Sequence, residues 1–569
     1  MSTQEIPNNQ KQIIQSNDGD YNGNVHSSFN IDLDSSPGTF KVSKRLTRAL
    51  NQAKIGYTVQ ALQIHDGFFY VATQGTDVYR CTVTNDPRLS ASWTVVSEFN
   101  GLDFGIETDI TSFKGLMLVS LGTNIASWNG TSMDDDWWTT VAGGSALSSG
   151  VQHTMEVLRT GADTLFITDG SNIRYYNTAA AGTIVPLDTL MTASCFTPTL
   201  DRMWAGTYTE VENNAFVYEL QVGNNIANQS YQIDGMACLS MFSYNNTPFV
   251  ITERGYIQAF NGAGFQTVAQ FPWANASITM RGVIPGLVQI PPASRAIHPK
   301  GTKVKGKYCY IFVDTRDGLE NKLDGRSPGG VWVLNLETYS LTHRYSITSA
   351  DADYGTEKVE ASGPLLITNI PETRILVGSK IGSDTGVWAE GTEQPQGYFT
   401  TVRHESDSVA DAFETFVVKH DTLDDGDMIT VKYKDQTLSN FPLQIDDITW
   451  LNATQFTTTN AFTNVAIGDE VEIIAGYRAG NLAEITNIEG GTTKTVTINQ
   501  SLGLLNQLSD IQINRFKTIN PGDVEMTNEY IKVGEVGDKN SPSRQYKVIM
   551  TGDVTIREVI SKSNSKEQL

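Results

Sequence analysis

A turn recurs three times near the start of this 569-residue chain, at almost constant spacing. Phe68-Phe69-Tyr70-Val71-Ala72-Thr73 runs into Gly75-Thr76-Asp77 and returns as Val78-Tyr79-Arg80-Cys81. Leu116-Met117-Leu118-Val119-Ser120, Gly122-Thr123-Asn124 and Ile125-Ala126-Ser127-Trp128 repeat it, as do Thr164-Leu165-Phe166-Ile167-Thr168, Gly170-Ser171-Asn172 and Ile173-Arg174-Tyr175-Tyr176. The glycines at 75, 122 and 170 stand 47 and 48 residues apart, each followed by Thr or Ser, then Asp or Asn, then a β-branched residue. Gly tolerates positive φ, Asp or Asn favours tight turns, and Val or Ile restarts a strand, so each copy reads as a hairpin. A repeat of roughly 40 to 50 residues built on hairpins is the pattern of a β-propeller blade.

Looser copies follow. Met203-Trp204-Ala205-Gly206 returns at Phe216-Val217-Tyr218, and Phe249-Val250-Ile251 turns at Gly255 into Tyr256-Ile257-Gln258-Ala259-Phe260. Tyr308 to Val313 returns at Val331-Trp332-Val333-Leu334, and Ile375-Leu376-Val377-Gly378 at Val387-Trp388. Seven hairpins predict an all-β fold with a seven-bladed propeller over 31–395, six or eight blades being the alternatives. The residues between Asp314 and Gly330 are expected to form an inserted loop. Gly75, Gly122, Gly170 and Gly255 are its blade-turn residues. Two stacked β-sandwiches are the competing architecture.

Beyond the Pro- and Gly-marked stretch Gly391 to Gly397 the pattern changes. Phe413–Val418 and Met428–Tyr433 flank Asp424-Asp425-Gly426-Asp427, which suggests a β-sandwich over 396–459 and 516–560. Between them, 460–515 carries three short strands and reads as a small inserted barrel-like β-domain. The strand ending near Ile560 is expected at a sheet edge, residues 561–569 as a flexible tail, and 1–30 as a polar arm.

Charge narrows the function. With 41 Lys plus Arg against 63 Asp plus Glu, the net charge of −22 disfavours a broad nucleic-acid-binding face, and sequence-specific binding is not expected. No run approaches the roughly 20 apolar residues of a spanning helix, and the polar start lacks an export signal, so neither membrane insertion nor ordinary secretion is expected. Cys81, Cys195, Cys238 and Cys309 lack paired spacing and read as buried thiols.

Chemistry-bearing motifs occur in the chain only as fragments. Asp18-Gly19-Asp20-Tyr21-Asn22-Gly23 starts like a calcium loop, but Phe29 stands where the closing acid belongs. Asp134-Asp135-Asp136 before Trp137-Trp138 suits a cation or a sugar, or else a solvated loop with anchoring aromatics. Lys300, Lys303, Lys305 and Lys307 read as an exposed edge ahead of a strand, with a phosphate or partner site as the alternative. The seven histidines form no metal motif, and no nucleophile elbow or P-loop occurs. No catalytic residue, cofactor or metal site is predicted.

The segment Asn30-Ile31-Asp32-Leu33-Asp34-Ser35-Ser36-Pro37-Gly38-Thr39-Phe40-Lys41-Val42-Ser43-Lys44-Arg45-Leu46 resembles the opening of propeller-containing structural proteins of tailed-bacteriophage tails, where an acidic entry strand leads into the blades. The ending from Tyr546 to Ile560, with its Gly552-Asp553-Val554 step, resembles their terminal strand. The order of propeller then sandwich is similar to tail-nozzle or tail-hub proteins, although the insert departs from it. The resemblance implies a non-enzymatic virion protein made in the host cytoplasm and assembled in the tail as a homo-oligomeric ring. Its partners would be other tail proteins, and the host surface is a further contact. An acidic lumen would keep passing DNA from adhering. A carbohydrate-binding or carbohydrate-cleaving propeller is the alternative.

Overall fold

The computed structural model describes residues 2–5, 25–33, 39–50, 58–74, 77–104, 108–177, 180–209, 211, 214–271, 297–314, 328–348, 359, 361–368, 374–381, 384–393, 396–401, 404–405, 412–435, 443–445, 447–459, 462, 465–476, 480–502, 509–519, 524–534 and 543–564. The fold is all-β and of propeller type through its first two-thirds.

Six consecutive antiparallel four-stranded sheets span Val59–Val95, Ile110–Asp134, Met155–Pro186, Thr192–Gln232, Cys238–Gln270 and Thr302–Tyr345, each pairing its strands in sequence order. A seventh sheet pairs Ala361–Thr368, Arg374–Ile381 and Asp384–Glu393, then takes Lys44–Leu50 from the start of the chain as its next strand, with Ile347–Thr348 beyond it. All seven hairpins expected from the sequence are paired as expected. Tight turns between first and second strands add a regularity. The two-residue turns Asp66-Gly67, Lys114-Gly115 and Asn245-Asn246 all have positive φ at both positions, which matches the twist of a hairpin.

The first strands of neighbouring sheets pack against one another in order, and the seventh packs on the first. Polar bonds stitch these junctions. Thr108 N–H donates to Gln60 Oε1 (2.9 Å), Met155 N–H to Asp109 Oδ2 (2.7 Å), and Thr154 Oγ1 to Ser194 O (2.9 Å). Ser194 Oγ donates to Cys238 O (2.9 Å), Ser240 Oγ to Pro299 O (2.9 Å), and Leu365 N–H to Lys300 O (2.9 Å). At the closing junction an added Cβ on Gly378 would lie 2.4 Å from Val59 Cγ1, so the missing side chain is what allows the approach.

The last third contains two facing sheets. One runs Ile31–Asp32, Phe40–Val42, Thr555–Asn564, Ala412–His420, Tyr530–Val533 and Val524–Met526, with Ser2–Glu5 pairing the far end of Thr555–Asn564. The other runs Val25–Phe29, Gln396–Thr401, Ser543–Thr551, Met428–Asp435 and Lys517–Thr518. They share one core, with Phe40 stacked on Phe399 (4.4 Å between centroids) and Phe416 on Tyr546 (3.9 Å). A separate seven-stranded sheet, from Leu443–Ile445 to Ser509–Asn514, encloses its own core around Trp450, Phe456, Ile473 and Ile511.

Several sequence expectations are corrected here. Ile31–Asp32 and Phe40–Val42, expected to open the blades, instead pair with each other, and Phe40–Val42 pairs with the C-terminal strand, because the buried Ile31, Phe40 and Val42 fill the core between the two facing sheets. Thr555–Asn564 is an interior strand, with Ile556 and Val559 buried, and it continues past the expected start of the tail at 561. The polar arm supplies two paired strands, Ser2–Glu5 and Val25–Phe29. The inserted sheet begins at 443 instead of 460, because Ile445, Trp450 and Phe456 belong to its core.

Candidate functional site

Because first strands line the middle of the ring, a side chain of the sixth sheet that reaches the second and third must cross the axis. Lys300, just ahead of Thr302–Lys305, does so. Its Nζ lies 2.5 Å from Met155 O, 2.8 Å from Glu156 Oε2 and 3.6 Å from Asp109 Oδ2. Asp109 is buried and already bonded, its Oδ1 accepting from Ile110 N–H (2.8 Å) and its Oδ2 from Met155 N–H (2.7 Å). One lysine thus ties three sheets together through a carbonyl and two carboxylates.

The environment sorts the four charged groups. Burial raises the Asp109 carboxyl above its usual range despite the nearby Lys300. Burial also opposes ionisation of Glu156, but Lys300 and Lys303 outweigh it and hold that carboxyl low. Burial disfavours charge on Lys300 too, yet Asp109 and Glu156 raise its pKa above the ordinary lysine value. Lys303 is lowered by burial and by its neighbour Lys300. The arrangement holds opposite charges in a fixed crossing, which suits structural bracing of the ring.

The exposed lysine edge expected from sequence is therefore split. Lys300 and Lys303 belong to the axial group, whereas Lys307 pairs on the surface with Glu337 (2.9 Å). The sequence signal for Asp109 and Glu156 is only their place at the start of first strands in consecutive repeats.

The blade-turn glycines do different jobs. Gly170 and Gly255 have φ of +63° and +81°, as the turn argument requires. Gly122 lacks a positive φ; a Cβ there would come within 3.0 Å of Asp103 Oδ2, so close approach explains it. Gly75 lies outside the described residues, as do the calcium-like segment 18–23 and most of the loop expected after Asp314. Trp137 and Trp138 are buried, so neither offers a face to a sugar, and Asp136 Oδ1 accepts from Asn124 Nδ2 (2.7 Å). All four cysteines are buried, with Cys195 Sγ 3.5 Å from Cys238 Sγ.

A second junction was not legible in sequence. Phe29 stacks on His343 of the sixth ring sheet (4.3 Å, 8° between planes) and on Tyr398 (5.6 Å), and packs against Leu482 of the inserted sheet. Beside it, Arg344 pairs with Asp32 (2.6 Å) and Ser346 Oγ donates to Asn30 Oδ1 (2.5 Å). The N-terminal segment thereby fastens the ring to both C-terminal units.

No family model and no curated protein matches the chain. Solved structures to which it is similar include the computationally designed Ika8 protein, at 10% identity over 61% of this chain and 99% of that one, with a TM-score of 0.35. A BBS1N–ARL6DN complex matches at 12% identity over 62% and 98%, TM-score 0.37. The Neurospora crassa Pan2 WD40 domain matches at 10% over 59% and 90%, TM-score 0.36.

Proposed function

We propose that this chain is a structural, non-catalytic component of a tailed-bacteriophage tail, of nozzle, hub or ring type. In this reading the ring is a seven-bladed propeller closed by Lys44–Leu50, and the two facing sheets are a β-sandwich with an inserted β-domain. The observation that carries the proposal is the behaviour of the segment 30–46, the one resembling tail proteins. It contributes Asn30 and Asp32 to the junction with the ring, Ile31, Phe40 and Val42 to the sandwich core, and then the strand that closes the propeller. A chain stapled in this way transmits load between its parts, as a tail component must.

The axial crossing by Lys300 refines the expectation about DNA. A duplex would pass between copies arranged in a ring, with the propellers around the path and their acidic surfaces repelling it. The partners would be further copies and other tail proteins.

Electron microscopy of the purified protein and of virion particles tests this. Rings, or density fitting the ring and both C-terminal units within a tail, would support the reading. Dispersed monomers absent from particles would overturn it.

A further inference from the structure

The inserted sheet meets the facing sheets through paired like charges. In the strand pair Met428–Asp435 with Ser543–Thr551, Lys432 stands directly opposite Lys547. In the inserted sheet Glu470 stands directly opposite Glu484, with Glu472 one step along on the same side of its strand. Like charges directly opposite one another destabilise a sheet. Each face is therefore self-repelling until the other covers it.

Docking brings the sets together. Lys547 Nζ lies 2.7 Å from Glu470 Oε1 and 3.1 Å from Glu472 Oε2, and Lys432 Nζ lies 2.9 Å from Glu470 Oε2 and 3.0 Å from Glu484 Oε1. Tyr398 Oη donates to Glu472 (2.6 Å), Asn514 Nδ2 to the same carboxylate (3.3 Å), and Thr518 Oγ1 to Glu484. Lys547 also sits over the rings of Tyr398 (4.3 Å) and Phe516 (5.4 Å). The other charged groups nearby are Lys434, the pair Arg544–Asp435 (2.7 Å), and Arg515 and Lys517, which act on Asp469. The apolar part of the junction is small, formed by Phe29, Tyr398, Leu482 and Ile549, whereas the inserted sheet has a full core of its own.

We infer that the inserted sheet is a charge-locked module that undocks in acid while remaining folded. Glu470 and Glu484 are the carboxylates that acid neutralises, which leaves Lys432 and Lys547 as an uncompensated buried pair. Burial opposes ionisation of Glu470 and Glu484, but the lysines and hydrogen bonds hold both carboxyls low. Docking stability is therefore full above the ordinary glutamate value and is lost as pH falls through the lowered folded values.

The test is calorimetry of the full chain alongside 19F NMR of 5-fluorotryptophan-labelled protein, in which the Trp450 resonance, assigned among the nine tryptophans with a Trp450→Phe variant, reports on the inserted core. At pH 7 the inserted sheet and the facing sheets should unfold together. As pH is lowered stepwise from about 5 to about 2, and at pH 7 in Lys547→Met, the Trp450 transition should separate by about 5 °C or more with strand content retained. The charge-reversed variant Lys432→Glu/Lys547→Glu/Glu470→Lys/Glu472→Lys/Glu484→Lys should restore a single transition at pH 7. The milder Glu484→Gln reports on the lock if Lys547→Met does not fold. Transitions that stay merged down to about pH 2 and in Glu484→Gln would overturn the inference, as would loss of the Trp450 signal with undocking.

Discussion

Replacing Lys300 by Met tests whether the axial crossing braces the ring. The substitution keeps much of the side-chain volume but leaves Asp109 and Glu156 without their shared cation. Breaking a buried ion pair from one side costs about 3–5 kcal/mol. Lys300 and Glu156 keep 18% and 28% of their side-chain surface exposed, so solvent reduces this to about 2–4 kcal/mol. With an unfolding entropy of about 2.1 cal/mol/K per residue over a ring of about 350 residues, 3 kcal/mol lowers Tm by about 4 °C. Differential scanning calorimetry at pH 7 reads the shift, and adding Glu156→Gln to Lys300→Met should recover part of it. The pH dependence supplies a second readout. Glu156, held low in the fold, contributes stability above the usual glutamate range that disappears as pH falls through its folded value. Asp109, held high, has the opposite sense, so acid relieves its penalty. Lys300→Met should therefore flatten the acid loss of stability. A variant that melts within about 1 °C of the parent would refute the bracing role.

Three further outcomes follow from other contacts. Gly206→Ala places a Cβ 2.6 Å from Cys238 Sγ and 2.8 Å from Cys195 Sγ, and should cost about 1–3 kcal/mol by overpacking, read as a lower denaturation midpoint. Phe29→Ala removes the ring between His343, Tyr398 and Leu482 and should cost about 3–5 kcal/mol, with hydrogen exchange rising at Leu341–Tyr345 and Gln396–Thr401. His343 is buried with its pKa pushed down to about 4, so the unfolded chain binds the extra proton between about pH 4 and 6.5. Stability should fall by about 3 kcal/mol as pH drops across that window, and His343→Phe should lose this component of the urea titration.

What the sequence determined was local. Gly170 and Gly255 sit at turns that need positive φ, and the apolar runs around them fixed which strands pair, so all seven hairpins were readable from adjacent residues. Asp66-Gly67 carries an equally local hairpin-turn signal, with positive φ at both positions. The tertiary structure decided everything that joins distant segments. Lys300 meets Glu156 and Asp109 across the ring, Lys44–Leu50 completes a sheet begun more than three hundred residues later, and Phe29 lies against three separate units. The lysine cluster looked like a solvated edge because sequence reports a side chain's charge but not the burial that turns that charge into a cross-link. The pairing of Lys432 with Lys547 and of Glu470 with Glu484 was hidden for the same reason, since strand register and face are set only when the sheets assemble.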